Sequence, residues 1–312
     1  MPGKIKAYFF SLTPVKITLE LAHKFTPPGF DGLSVYEVAS FFIKGVQKGS
    51  LTSRASSISF QFFLAIFPAI LFFFTLIPYI PVEDFQSQLM DLLKDVIPEH
   101  AYYTIESTIR DIIIRPRSGL LSVGFLLALY FSTNGIRSIV EAFNRTVHIE
   151  ESRPVFKQRL IAIYLVLLLA FLTIIAIALI TTGTFIINVL EDNRILGGPA
   201  YYYFLQAGKW IVIIALLYFA FSSLYYFAPE KKSRYRFFSA GSALATLLTL
   251  ATSVDFDFYV SNFSKYNALY GSIGTLIILL LWIYFNSMIL LIGFELNASI
   301  FSASRKRQQI EN

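Results

Sequence analysis

From Gly271 to Phe294 the chain runs for 24 residues without a formal charge and then meets a single acid, Glu295. A helix rises about 1.5 Å per residue, so roughly 20 apolar residues cross a hydrocarbon core of about 30 Å. No water satisfies the backbone inside such a core, so the run must close its own hydrogen bonds as a helix. The chain is built for lipid, with Glu295 marking the interface.

Composition extends this to the whole molecule: 55% of residues are hydrophobic and 15% are charged, where a soluble domain carries about 25%. Six apolar runs stand out, at about 55–79, 119–136, 160–188, 208–228, 237–258 and 271–294. The expected fold class is therefore all-α, a polytopic membrane protein with six transmembrane helices. Its parts are an N-terminal extension, 1–33, a membrane domain, 34–301, and a basic tail, 302–312. The apolar stretch after Lys4 and Lys6 is short and broken by Pro14 and Lys16, so it does not read as a signal peptide. The chain has no cysteine, which leaves no disulfide, thiolate nucleophile or Cys-ligated metal to consider.

A net charge of +6 raises the question of nucleic acid, and its distribution answers it. Basic residues cluster before the first run and after the second, fourth and sixth, nineteen in all, against seven in the alternate loops. The segment between the first two runs is acidic. An excess of Lys and Arg marks cytoplasmic loops, so both termini are expected in the cytoplasm, which only an even number of crossings permits. The charge points to membrane orientation and anionic lipids, with no nucleic-acid partner.

Three further segments read as helices. Ser34 and Glu37 have capping-box spacing ahead of Val35, Val38, Ala39, Phe42 and Val46, which share one face. With Lys44 and Lys48 opposite, this reads as an amphipathic helix on the cytoplasmic membrane surface. Between Glu83 and Ile114, two sets of apolar residues at 3-4 spacing flank Pro98. They read as an extracytoplasmic helical hairpin, a candidate contact for an envelope protein.

Charged groups at membrane depth are the clearest functional signal, because burying one costs about 2.5–3.5 kcal/mol. Arg54, Arg137, Glu141 and Glu295 fall near the cytoplasmic ends of spans. Arg137 and Glu141 have the spacing to pair along one helix, and Glu295 can meet Arg54 across helices. Either these are interfacial anchors, or they form a basic pocket for an anionic headgroup or substrate. Deeper in the runs, Gly241, Ala245, Thr249 and Ser253 form an i+4 stripe of small residues that suits close helix packing or a groove. Ser59 lies beside the polar start of run one and Pro68 near its middle, where it breaks the hydrogen-bond ladder as a kink or a gate. Asn134 and Asn286 are expected to hydrogen-bond across helices. His23, His100 and His148 are scattered, with no metal-binding spacing, Walker loop or nucleophile elbow. No catalytic residue, metal or cofactor is assigned.

The segment from Tyr270 to Asn297, with its Tyr-Gly start, Trp-Ile-Tyr centre and Gly-Phe-Glu-Leu-Asn end, resembles the YihY/BrkB family of bacterial inner-membrane proteins. Arg54 to Pro68 is similar to that family's first-span signature, and Asn144 with Glu151 to Arg153 to its segment between spans two and three. Ser56 and Ser57 depart from the pattern, standing where small apolar residues are common, and so does Phe131, where tryptophan is common. The resemblance covers about residues 34–301 and implies six membrane helices with cytoplasmic termini. It implies no single activity: members carry the label ribonuclease BN, while others are linked to serum resistance or to moving lipids. The sequence itself places neither a metal site nor an acid-base pair for RNA cleavage in its aqueous loops. The expected function is binding and translocation of an anionic amphiphile or small solute, with a non-transporting envelope scaffold as the alternative and a membrane-bound ribonuclease as the third reading.

Overall fold

The computed structural model describes residues 22–48, 50–79, 86–87, 90, 94, 106–107, 110–111, 115–146, 151–192, 199–230, 236–262 and 272–311. Regular structure among the described residues is helical throughout. The elements are α1 (Val35–Lys48), α2 (Leu51–Leu76, ending in a 3-10 turn at Ile77–Tyr79), α3 (Ser118–Thr146), α4 (Val155–Asp192), α5 (Pro199–Phe227), α6 (Ala240–Asn262) and α7 (Ser272–Glu311). The hairpin expected from Glu83 to Ile114 and most of the 1–33 extension lie outside the described residues.

Among the described residues, five helical stretches are long and apolar enough to cross a membrane: Leu51–Tyr79, Ser118–Thr146, Val155–Gly183, Leu205–Phe227 and Leu276–Ile310. The fifth of the six expected runs forms α6, whose apolar part, Ala240–Phe256, is shorter. Its small-residue stripe and Asp255 lower the hydropathy that the other runs draw from Leu, Ile and Phe.

Two helices outrun the apolar segments that announce them. α3 continues past residue 136 to Thr146 because its last turns are amphipathic: Ile139, Ala142 and Phe143 are buried while Arg137, Glu141 and Arg145 face outward. α7 does not stop at Glu295 but continues to Glu311. Its extension buries Ile300 and Ala303 against Leu33 and Val38. The basic tail is thus the last part of a helix.

α1 starts where the capping box requires. Ser34 N donates to Glu37 Oε2 at 2.8 Å, and Glu37 N donates to Ser34 Oγ at 3.3 Å. The amide and hydroxyl of Ser34 hold the Glu37 carboxyl below its ordinary range. The face carrying Val38 packs on α7, so that part of the predicted surface-lying face is covered by protein instead. Ser50, at φ 43°, makes the sharp turn from α1 into α2.

The chain divides into two compact units, one of residues 59–135 and the other of the remainder. In the smaller, α2 and α3 approach closely. A Cβ on Gly124 would stand 3.2 Å from the Phe72 backbone, and Gly135 lies against the Phe62 ring. In the larger, α4 packs on α5, α5 on α6, and α6 on α7. The last of these contacts is the tightest. A Cβ on Gly241 would overlap the Gly293 carbonyl and Asn297, and one on Gly293 would overlap the Tyr225 hydroxyl. Gly241 N donates to Asn297 Oδ1 at 2.8 Å, and Asn297 Nδ2 donates to Ser239 Oγ at 2.9 Å.

Forcing a methyl group into such a crossing costs about 1–3 kcal/mol. Gly293→Ala should therefore lower the thermal unfolding midpoint of detergent-solubilised protein. Gly208→Ala, where nothing lies within 4 Å of the added carbon, should not.

Candidate functional site

Arg54 sits in the first turn of α2 and is 5% exposed, and Glu295 on α7 is equally buried. The nearest Arg54–Glu295 approach is NH2 to Oε2 at 3.9 Å, an ion pair too long to be a hydrogen bond. The other guanidinium nitrogen is well bound, since NH1 donates to Ala142 O at 2.8 Å and to Thr146 Oγ1 at 2.5 Å, both near the end of α3. Arg54 Nε and NH2 are buried without a hydrogen-bond partner. The arginine is anchored by one edge and leaves donors on the other.

Packing explains why the pair sits where it does. Phe143 and Phe294 are fully buried and stack with ring centroids 3.9 Å apart. Tyr225 meets Phe143 edge-on at 5.6 Å and donates its hydroxyl to Leu290 O at 2.8 Å. Residue 294 is thus locked into an aromatic cluster, which fixes the direction of residue 295. Glu295 points toward α1, and its Oε1 occupies the space that a side chain at Gly45 would fill. A side chain at position 45 would displace the carboxylate from this place.

Glu295 and Thr146 also line a cleft of about 480 Å³, together with Phe41 and Gly45 of α1 and Arg305 and Lys306 of α7. Lys306 Nζ lies 5.9 Å from the centre of the Phe41 ring. Arg54 stands directly behind Thr146 and Glu295. Its charge offsets that of Glu295, leaving Arg305 and Lys306 as the excess. Chemically, the cleft offers cations and hydroxyls at one end and an acid-base pair at the other.

A second polar cluster ties α3 to the segments around α4 and α5. Arg153 donates to Glu151 through Nε at 2.5 Å and through NH2 at 2.6 Å, and NH2 also donates to Ala228 O at 3.1 Å. Asn144 Nδ2 donates to Glu151 Oε2 at 2.8 Å, while Asn144 Oδ1 accepts from Glu230 N at 3.3 Å. Burial works against the charged form of Glu151, but the hydrogen bonds and charge of Arg153, with the Asn144 amide, hold it below the usual value. These bonds close loops, although Arg153 Nη1 and Glu230 Oε2 are buried without a hydrogen-bond partner, so the cluster is a clasp.

Of the charged residues marked in the sequence, Arg54 and Glu295 come together and the other two do not join them. Arg137 and Glu141 are exposed, and Glu141 accepts from Arg145 at 2.6 Å rather than pairing with Arg137. Asn286 turns back to its own helix, donating to Trp282 O at 2.8 Å, instead of bonding across helices. Asn134 is half-buried and Ser59 buried. Pro68 lies inside α2, which runs unbroken through it. Gly241 and Ala245 are buried at the α6–α7 crossing, whereas Thr249 and Ser253 are half-buried farther along. Sequence reasoning missed Thr146, Gly45 and the cleft role of Arg305 and Lys306. The last two had signalled only orientation.

Comparison with known proteins adds the family. A model of the family described as Virulence factor BrkB matches residues 42–312. A Bacillus subtilis (strain 168) protein, YfkH, whose name describes it as ribonuclease-like, is 32% identical over 83% of this chain and 93% of its own length. A protein of Alteromonas mediterranea named UPF0761 membrane protein is 24% identical over 87% of this chain and 90% of its own. Another of that name, from Vibrio campbellii, is 30% identical over 48% of this chain and 46% of its own. No solved structure matches the chain.

The Glu151 clasp has a pH signature. A carboxyl held below its ordinary value of 4.5 contributes stability that is present above that value and is lost as pH falls through it toward the lowered one. Between about pH 5 and about pH 3, the thermal midpoint should fall less steeply in Glu151→Gln than in the wild type. An identical slope would mean that Glu151 does not carry the clasp.

Proposed function

Because the chain belongs to the Virulence factor BrkB family, we propose that it is an inner-membrane protein that binds and translocates an anionic amphiphile or small solute. In this reading the helix α6 is the sixth crossing, since its 23 residues span about 34 Å. Both termini then lie in the cytoplasm, the side on which nineteen of the basic residues fall. The cleft lined by Glu295, Arg305 and Lys306 opens on that side, and no covalent chemistry is assigned to it.

The observation that carries this reading is the buried Arg54 behind a polar cleft. An anchoring arginine near an interface avoids the burial cost by extending into water. Arg54 instead keeps its charge inside and faces Glu295 without a hydrogen bond. Such an arrangement suits a group that exchanges partners during transport.

In proteoliposomes holding a fluorescent anionic lipid, Arg54→Gln should lower the rate of transfer between leaflets roughly tenfold, the loss of one charge-assisted hydrogen bond. Arg137→Gln, an exposed position, should leave it unchanged. If wild-type protein moves neither lipid nor anionic solute, and crosslinks from 83–114 reach one envelope protein, the scaffold reading replaces this one.

The ribonuclease-like name of the Bacillus relative supports a second reading. Highly purified protein with Mg²⁺ or Mn²⁺ is expected not to cleave labelled RNA above an empty-membrane control. Cleavage that follows the protein through purification would overturn the translocation proposal's assignment of no enzymatic activity.

A further inference from the structure

We propose that the α1–α7 cleft is a binding site for a phosphate-bearing anion, met at its mouth by Arg305 and Lys306 and at its floor by the open edge of Arg54. This deepens the translocation reading by naming the ligand class of the same cleft, and it stands on its own geometry. The cleft's volume of about 480 Å³ exceeds what a bare ion fills, so it has room for a headgroup. Arg305 and Lys306 are exposed, and both line it. Beneath them, Ser299 and Ser302 add hydroxyls.

The floor supplies the independent observation. Arg54 has a side chain only 4% exposed, and its Nε and NH2 make no hydrogen bond. A buried donor without an acceptor is unfavourable, and a guanidinium edge matches two oxygens of a phosphate. Glu295 stands between this edge and the cleft, in the space left by Gly45. Rotation of the Glu295 side chain gives a phosphate oxygen access to Arg54. The counter-charge of Arg54 then passes from Glu295 to the ligand. A cationic ligand is disfavoured, because Arg305 and Lys306 guard the mouth and Arg54 already offsets the acid.

Titration calorimetry on the full chain in dodecyl maltoside tests this with dihexanoyl phosphatidylglycerol, inorganic phosphate and dihexanoyl phosphatidylcholine. The phosphatidylglycerol should bind more tightly than the phosphatidylcholine and weaken as salt is added. Replacing both Arg305→Gln and Lys306→Gln, exposed changes that should leave the thermal midpoint in place, should weaken it roughly tenfold or more. Glu295→Gln should strengthen anion binding, whereas a cation site would lose affinity. Inorganic phosphate binding as tightly as phosphatidylglycerol supports the site and identifies its ligand as the free anion. Binding that is insensitive to the double change, or no preference for either anion over phosphatidylcholine, overturns it. Binding without transfer in proteoliposomes would sink translocation and leave the site, while transfer that the double change does not touch would sink the site alone.

Discussion

A buried guanidinium dictates the arrangement around it. Removing Arg54 from water carries a penalty of several kcal/mol that Coulomb attraction repays only with good geometry and further hydrogen bonds. The structure repays part of it at the end of α3, where Ala142 O and Thr146 Oγ1 both take the same nitrogen. That requires α3 to run on well past its apolar segment, and it does. Glu295 adds a Coulomb partner without a hydrogen bond between the two, which requires α7 to carry an acid at a depth where a span would otherwise be apolar. Lysine would not substitute, since one compact ammonium cannot bond α3 on one edge and face α7 from the other.

Bringing an acid to that position sets a second requirement, on approach distances. In lipid, helices gain little from burying apolar surface against one another, so they rely on close packing and polar contacts. Gly241 and Gly293 let α6 and α7 meet backbone to backbone, and Asn297 bonds α6 two residues beyond Glu295. Gly45 leaves room on α1 for the Glu295 carboxylate. The Phe143–Phe294 stack then fixes the rotation of α7 about its own axis. Glycines, an asparagine and an aromatic pair together hold one carboxylate against one arginine.

Much of this was legible in the sequence, and the exceptions are instructive. Apolar length located the helices, because the thickness of hydrocarbon sets it. Charge at depth singled out Arg54 and Glu295 for the same reason. Helix ends were misjudged wherever a helix leaves the apolar run and becomes amphipathic, as in Arg137–Thr146 and Leu296–Glu311. A residue there is judged by which face it occupies, and that depends on a neighbour the sequence does not name. Arg137 and Arg54 look alike in one dimension. Only the packing of Phe143 and Phe294 separates the exposed one from the buried one. The expected Arg137–Glu141 pair lost to Arg145: both spacings are i+4, and an acid N-terminal to its base is the better order.

The continuity of α7 joins these threads. Glu295, Ser299, Ser302 and Lys306 are spaced four, three and four residues apart, so they lie along one face of a single helix. Over about 16 Å that face passes from an acid offset by a buried cation, through hydroxyls, to uncompensated base. A helix that merely ended at the interface would carry its charges around its circumference, where water reaches all of them. Here one acid, two hydroxyls and one base form a line, and α1 lies beside it with Gly45 at the acid end and Phe41 under Lys306. In the proposed translocation reading, a charged headgroup would pass along that line from exposed cations, past hydroxyls, toward a buried one. The spacing in α7 thus sets the partner of Arg54, two hydroxyls and a base on one face.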